Sequence, residues 1–332
     1  LGALEIPDEY TVCPFTPPLA YATQAVLAGV ELRRSEAVTG LRRRDGRWQV
    51  ETSRGGLSAE WVVNAAGLHS DEVHLMAGHT GFTVTPRRGE LIVYDKLARP
   101  LIGHIILPVP TATTKGVLVA PTVFGNVMLG PTAVDIDRKD DTISTAEGIA
   151  YLRSLAPRLV PALAEQEVTA TYVGLRAATE HGDYLIGVDG RERYAWAGGI
   201  RSTGLTASMA IAEHVRDELD RAGLALRERP DGLPALRMPN IGDAATRPYA
   251  DTDLISSDPE YGRIVCFCER VTRGEIRDAA RSPIPPADLD GLRRRTRVLM
   301  GRCQGFFCAA HLPVILAEET GRSAAEIMEL PK

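Results

Sequence analysis

Cys266 and Cys268 form a C-x-C pair, and Cys303 and Cys308 form a C-x4-C pair further along the chain. Thiolates in two close pairs are a metal-site constellation. Zinc ribbons usually space each pair as C-x2-C, which neither pair does here. Iron–sulfur clusters accept more varied spacing because their ligands serve two different irons. The pattern points first to a [2Fe–2S] cluster; a zinc site and free or regulatory thiols are the other readings of the same residues. A cluster moves single electrons, so the rest of the chain should supply or accept them.

Two glycine-rich turns are the second chemical feature. One is Val63-Asn64-Ala65-Ala66-Gly67; the other runs from Ala197 through Gly198, Gly199 and Gly204 to Thr206. Small residues let the backbone come close to a planar or phosphate-bearing ligand. A helix starting near Thr206 would aim its free N–H groups and positive dipole end at whatever lies before it. That suits the pyrimidine edge of a flavin, which gains negative charge on reduction. Two tight turns of an α/β domain with no ligand would leave the same trace. No G-x-G-x-x-G occurs, so the usual dinucleotide fingerprint is absent from the sequence.

The chain that must position these residues has 332 of them, enough for about two domains. Hydrophobic residues make up 44% and charged residues 24%, an ordinary globular balance. The net charge of −5 gives no basic field for nucleic acid. No apolar run reaches the ~18 residues of a membrane span, and no secretory leader opens the sequence. Five cysteines do not make a secreted disulfide scaffold. A cytoplasmic protein is the expectation. The sequence begins at Leu1 rather than Met, in a structured-looking segment, which suggests a fragment of a longer protein.

Thr16-Pro17 should open a helix, with Thr16 as its cap, that stops at Gly29. Strands are expected at Val30 to Arg33, Ala37 to Arg42 and Trp48 to Thr52, with Asp45-Gly46 as a hairpin turn. Trp61 to Asn64 reads as a buried strand. Leu91 to Tyr94, Gly116 to Ala120, Val127 to Leu129 and Val168 to Leu175 read as strands of an antiparallel sheet. Helices are expected at about Thr145 to Leu155 and Thr206 to Leu219, the second following a strand at Tyr194 to Ala197. Residues 222–260, rich in Pro, Asp, Arg and Gly, read as a linker. Beyond it, Thr272 with Glu275 and Ser323 with Glu326 have the capping-box pattern, so the cysteine module should be small and helical.

At these motifs the chain resembles FAD-dependent oxidoreductases of the D-amino-acid oxidase type. The closer match is to members related to the anaerobic glycerol-3-phosphate dehydrogenase large subunit, which carry a C-terminal domain like bacterioferritin-associated ferredoxin. The matching stretches are VVNAAG (62–67), TPRRGELIVYDK (85–96), GVLVAPTVFGNVMLGPTAVDI (116–136), GLRAATEHGDYLIG (174–187), AGGIRSTGLTASMAIAEHV (197–215), CFCERVTRGEI (266–276) and DLDGLRRRTRVLMGRCQGFFC (288–308). The resemblance implies an α/β (α+β) fold: a Rossmann-like FAD domain over residues 1–221, lacking its first βαβ unit, with an antiparallel substrate sheet inserted at about 81–175. A linker (222–260) and a small helical [2Fe–2S] domain (261–332) would follow.

The resemblance also implies roles. Val38 matches the position whose backbone meets the adenine. Gly67 ends the turn near the diphosphate and ribitol, and Gly199, Gly204, Leu205 and Thr206 match the turn under the flavin ring. Cys266, Cys268, Cys303 and Cys308 would hold the cluster. Arg176 matches the arginine for the substrate anion, with Arg201 beside the flavin and Arg88 as a weaker candidate; guanidinium forks suit phosphate and carboxylate alike. His104 matches a histidine able to take the hydroxyl proton, with His69 and His181 as fallbacks. Cys13 should be a small buried hydrophobe. Arg293, Arg294, Arg295 and Arg297, with Arg302, read either as a solvated helix face or as charge that offsets the cluster or docks an acidic electron partner.

The expected activity is oxidation of a small anionic hydroxy compound, glycerol 3-phosphate by preference. Hydride would pass to FAD and electrons onward through the cluster to an acceptor protein or a membrane-associated subunit, peripheral at the inner membrane face. A 2-hydroxy acid such as 2-hydroxyglutarate, or an amine, is an alternative substrate; a non-enzymatic iron–sulfur docking module is the alternative class.

Overall fold

A computed structural model of the chain describes residues 2–110, 116–230, 232–233, 235–236, 238–239, 241–242 and 245–328. Helix α1 (Thr16–Leu27) forms where expected, but Thr16 is its first helical residue rather than its cap. Phe15 holds the cap position, and Cys13 Sγ accepts from Thr16 N at 3.4 Å and from Thr16 Oγ1 at 3.1 Å. Cys13 is therefore a half-buried acceptor at the helix start, not a buried hydrophobe. The expected strand at Val30 to Arg33 does not form. Val30 and Leu32 stay 56% and 46% exposed, with no neighbouring strand to bury them.

Strands β1 (Val38–Arg44) and β2 (Arg47–Thr52) make the hairpin, turning through Asp45 and Gly46 at φ 50° and 75°. Two left-handed residues match the twist of the flanking strands. A third strand, β3 (Gly55–Ala59), pairs with β2; its Gly55-Gly56 start carries little strand propensity, which hid it in the sequence. Then β4 (Val62–Asn64) leads through the first glycine turn into α2 (Ser70–Met76).

The large sheet comes next: β5 (Thr85–Tyr94), β6 (Leu118–Pro121), β7 (Val127–Gly130) and β8 (Val134–Asp135) run in the order β6-β7-β5-β8. Helix α3 (Ala146–Leu159) covers one face, and β9 (Val168–Ala178) pairs along β5. Thr145 caps α3, accepting from Gly148 N at 3.1 Å. The buried Glu90 carboxylate holds that cap in place by accepting from Thr145 Oγ1 at 2.9 Å. Ile92, Val119, Val127 and Leu129 meet Leu152 and Ala156 of α3 in the main core.

The last strands of this part, β10 (Leu185–Asp189) and β11 (Tyr194–Gly198), are antiparallel to each other, and β11 runs parallel to β4. Helix α4 (Gly204–Arg221) follows β11. The expected linker is partly ordered: α5 (Thr252–Ser257) lies within it, and some of its residues fall outside the described ones. The cysteine region has a two-stranded hairpin, β12 (Ile264–Cys266) and β13 (Val271–Thr272), and helices α6 (Arg273–Ala280), α7 (Leu289–Thr296), α8 (Leu312–Thr320) and α9 (Ala324–Met328). Both capping boxes form. A separate core of Val271, Ile276, Leu292, Val298, Leu312, Leu316 and Ile327 holds it together. Among the described residues, no helix is long and apolar enough to cross a membrane.

Candidate functional site

Cys266 closes β12, and Cys268 lies in the turn that returns to β13. Cys303 follows left-handed turns at Arg297 and Leu299, and Cys308 opens the turn before α8. Gly301 permits the approach of the two segments: a Cβ there would collide with Cβ of Cys268 and meet Glu269 Cγ at 3.1 Å. The thiols face each other as Cys266 with Cys308 and Cys268 with Cys303. Burial pushes Cys266 up to about 12, with the Cys308 thiol adding to the rise. Cys303 is held below the usual thiol value, chiefly by the N–H of Phe307, helped by those of Gly305 and Phe306.

Among the described residues no group of three or more His, Cys, Asp or Glu converges on one ion position. Two facing pairs, with backbone N–H groups aimed at the sulfurs, fit a two-iron cluster that takes two thiolates per iron.

The two glycine turns lie together, at the carboxyl ends of the parallel strands β4 and β11. That edge is where open α/β sheets bind ligands. Buried Asn64 fixes the first turn: it donates through Nδ2 to Ser70 O (2.8 Å) and Tyr194 Oη (3.0 Å), and its Oδ1 accepts from Ala66 N (3.1 Å). Gly67 takes φ 57° with open space where a Cβ would stand. In the second turn Gly199 takes φ 63°, and a Cβ on Gly198 would strike the Phe82 ring at 2.8 Å. Ser70 Oγ is buried between the turns without a partner. Leu205 and Thr206 are exposed at the start of α4. An open cradle, a free helix N-terminus and an orphaned hydroxyl fit the close approach of a planar, hydrogen-bonding cofactor. Val38 sits at the start of β1, 40% exposed.

Arg176 lies on β9 directly opposite Arg87 of β5, and Arg87 in turn faces Asp135 of β8. Arg87 is neutralised by two bonds to Asp135, at 2.6 and 2.9 Å. Among the described residues Arg176 has no such ion pair; its Nη2 donates to Thr132 O at 2.7 Å, and Asp135, already held by Arg87, acts on it only from a distance. Burial lowers its pKa, and the neighbouring Arg87 lowers it further. Its guanidinium lies over Gly89, where any Cβ would collide with it. A half-buried cation without a carboxylate in direct contact fits an anion-binding role.

The other candidates are dispersed. Arg201 donates to Gly182 O at 2.8 Å, next to His181, whose Nε2 lies 3.0 Å from Gly81 O. Arg88 pairs with Asp141, with its Nε unsatisfied. His104 lies on an exposed loop, its side chain 78% exposed and 3.8 Å from Glu5. His69 pairs with Glu72 on the surface. The arginine run divides: Arg293 and Arg294 pair with Asp290 at the surface, Arg295 is half-buried against Ser282, and Arg297 is buried. Sequence reasoning missed Asn64, Gly89 and Glu269. Gly89 facing Gly174 across two otherwise well-filled strands was the signal available for one of them.

A flavin-type α/β sheet with a half-buried arginine, joined to a four-thiol helical module, defines a redox protein with two kinds of centre. The FAD dependent oxidoreductase family model matches residues 1–218, and the chain belongs to that family. The BFD-like [2Fe-2S] binding domain matches residues 264–318. FAD and a [2Fe–2S] cluster are thus the cofactors of the two matched families. The chain is 32% identical over 329 residues to the glycerol 3-phosphate dehydrogenase of Caloramator mitchellensis, covering 98% of this chain and 68% of that protein. It is 28% identical over 365 residues to one of the subunits of the anaerobic glycerol-3-phosphate dehydrogenase of Escherichia coli K12, covering 99% and 66%. Among solved structures, dithionite-reduced L-alpha-glycerophosphate oxidase of Mycoplasma pneumoniae with FAD bound aligns at TM-score 0.57 and 26% identity, over 63% of this chain and 56% of that one. The chain therefore spans about two thirds of these curated relatives and little more than half of that structure.

Proposed function

We propose that this chain is the substrate-binding and cluster-bearing part of an FAD-dependent dehydrogenase that oxidises a small anionic hydroxy compound, glycerol 3-phosphate by preference. The observation that carries the reading is Arg176, a half-buried guanidinium with no ion pair among the described residues. The names of the relatives support the choice of substrate. Arg176 binds the anionic group and orients the carbon to be oxidised. Arg201 adds positive charge beside the flavin turn. His104 is the proposed proton acceptor for the hydroxyl.

FAD, when bound, supplies the hydride acceptor. Val38, Gly67, Gly199, Gly204, Leu205 and Thr206 are the proposed residues along it. The free N–H groups at the start of α4 favour the negative charge of the reduced ring. Cys266, Cys268, Cys303 and Cys308 are the proposed ligands of the cluster. We set the domain limits at 1–221 and 261–332; the separate cores of the two regions support this division. The E. coli relative is named as one subunit of its enzyme, which supports a complex with further subunits. An acceptor protein or membrane-associated subunit would then take the electrons, on the cytoplasmic side.

The test is an anaerobic visible titration of the full-length protein with glycerol 3-phosphate and, in parallel, 2-hydroxyglutarate. Bleaching of flavin bands near ~450 nm, followed by loss of the broader iron–sulfur absorption, is expected with glycerol 3-phosphate. Bleaching by 2-hydroxyglutarate alone would replace the substrate; cluster absorption without flavin would replace the enzyme by a binding module.

A further inference from the structure

The cysteine region meets the large sheet around a cavity of about 820 Å³. One wall includes Val93, Ala170 and Tyr172; the opposite wall includes Arg293, Arg297 and Gln304. Side chains alternate along a strand, so Tyr172 and Ala170 share the sheet face that carries Arg176. Tyr172 stands about 13 Å along β9 from Arg176 at the strand rise. The candidate anion site and the cysteine region thus occupy two ends of one face.

Buried charges cross between the two parts at the rim of this cavity. Arg297 and Glu269 are 4% and 5% exposed. Arg297 Nε donates to Glu269 Oε2 at 3.3 Å, and its Nη2 reaches Asn126 Oδ1 of the β6–β7 turn at 3.5 Å. Its guanidinium lies 4.0 Å from the centre of the Phe124 ring. Lys96, which follows β5, donates to the same Glu269 Oε2 at 3.2 Å. Asn126 is held by its own bond to Tyr94 O at 3.0 Å. Glu269 directly follows Cys268, and its side chain stands against Gly301.

Buried ion pairs stabilise poorly compared with apolar side chains of the same shape; what they can fix is one arrangement among several. Arg297 also takes φ 75°, a conformation unfavourable for any residue with a Cβ. Charge, strain and a cation–π contact are thus concentrated where one part grips the other.

We propose that Arg297, Glu269 and Lys96 are positioning residues that lock the cysteine region onto the sheet and set the charge field at a cluster held by the four cysteines. The locking half stands on the contacts alone; the charge-field half rests on the cluster reading above. Their net charge is positive, and a reduced cluster carries one more negative charge than an oxidised one. The set therefore favours the reduced form.

The test uses the full-length holoprotein and the variants Arg297→Met, Lys96→Met, Glu269→Gln and the double variant Arg297→Met/Glu269→Gln. Calorimetry and chymotryptic cleavage between the two regions read the lock. An anaerobic redox titration followed by electron paramagnetic resonance reads the field. The wild type should unfold in one transition. Arg297→Met and Lys96→Met should split that transition, speed interdomain cleavage at least tenfold and lower the cluster potential, whereas Glu269→Gln should raise it. If Arg297→Met alone does not fold, the double variant, which leaves no unpaired buried charge, should fold yet still show the split transition and faster cleavage. Unchanged coupling in both Lys96→Met and the double variant would overturn the lock. Shifts of the same sign for Lys96→Met and Glu269→Gln would overturn the field. Absence of any cluster signal in the wild type would reject the cluster reading and with it the field, while unfolding and cleavage would still decide the lock.

Discussion

Arg176 and Arg297 are both taken out of water, one at each end of the same sheet face, and they are neutralised differently. Arg297 has its counter-charge inside the molecule, Glu269, and an aromatic ring beneath it. Arg176 rests on a glycine, donates to one backbone carbonyl, and is destabilised as a cation by burial and by Arg87. A buried charge matched from within holds structure. A buried charge left unmatched stores a preference for whatever anion arrives. Removing either arginine should therefore separate stability from binding.

The largest effect is expected at Arg297. Arg297→Met leaves Glu269 buried with only Lys96 beside it, and breaking one side of a buried pair costs about 3–5 kcal/mol. Urea unfolding of the full-length protein measures this, and recovery of most of the loss in Arg297→Met/Glu269→Gln would identify the stranded charge as the cause. Arg176→Met should behave in the opposite way. Stability should hold or rise slightly, because a half-buried cation without an ion pair is removed. The KM for glycerol 3-phosphate should rise about 100-fold, the loss of roughly 3 kcal/mol expected for charge-assisted bonds to one anion. A fall in stability with an unchanged KM would make Arg176 a second structural arginine and end the contrast.

Gly89→Ala sharpens the same comparison without touching a charge. The added Cβ would meet the movable end of Arg176 and Pro131 Cβ at 3.1 Å, so the guanidinium must shift while the strand keeps its backbone. A stability change within about 1 kcal/mol is expected, with a KM for glycerol 3-phosphate raised about tenfold. An unchanged KM would mean that the position of the guanidinium over β5 does not matter to the anion.

A third buried base tests whether the turn region tolerates charge at all. His74 is held below the usual histidine value, first by burial and then by His79. Its Nδ1 lies 3.3 Å from Tyr194 Oη, the hydroxyl that also accepts from Asn64. The folded state favours neutral His74, so the unfolded chain binds the proton more readily. Stability is then full above about pH 6.5 and falls as the pH drops from there toward the folded value. Unfolding at pH 7.5 and 5.5 should show a loss of order 1 kcal/mol that shrinks in His74→Gln; an equal loss in the variant would assign it to other groups.

The legible parts of this molecule were those whose signal is local. The capping boxes at Thr272 and Ser323, the Asp45-Gly46 hairpin and the cysteine spacing each state their geometry within a few residues. Val30 to Arg33 has strand-like residues but no partner strand, and pairing is not written in a single segment. Thr16 looked like a cap, yet the helix begins one residue earlier, with Phe15 at the cap position and Thr16 bonded to the sulfur of Cys13. The division of the arginine run was also invisible. Arg293, Arg294, Arg295 and Arg297 are nearly continuous in sequence, and only the left-handed turn at Arg297 and the arrival of Phe124 from a distant loop set the last one apart. Arg176 was assigned through its motif, but its lack of a counter-charge depends on Asp135 being taken by Arg87, three strands meeting at one row.

The smallest effect should come from the exposed members of that run. Arg293 and Arg294 share Asp290 at the surface, their side chains 43% and 46% exposed. Exposed pairs contribute little, because water screens them and ordering long side chains costs entropy. Asp290→Ala should therefore change stability by about 0.5 kcal/mol or less, and the change should vanish in high salt. The same measurement at Glu269 gives the scale: two carboxylates, each between two cations, should differ in effect severalfold because one is buried and the other is wet. A loss at Asp290 as large as that at Glu269 would mean that burial is not what distinguishes the locking arginine from its neighbours.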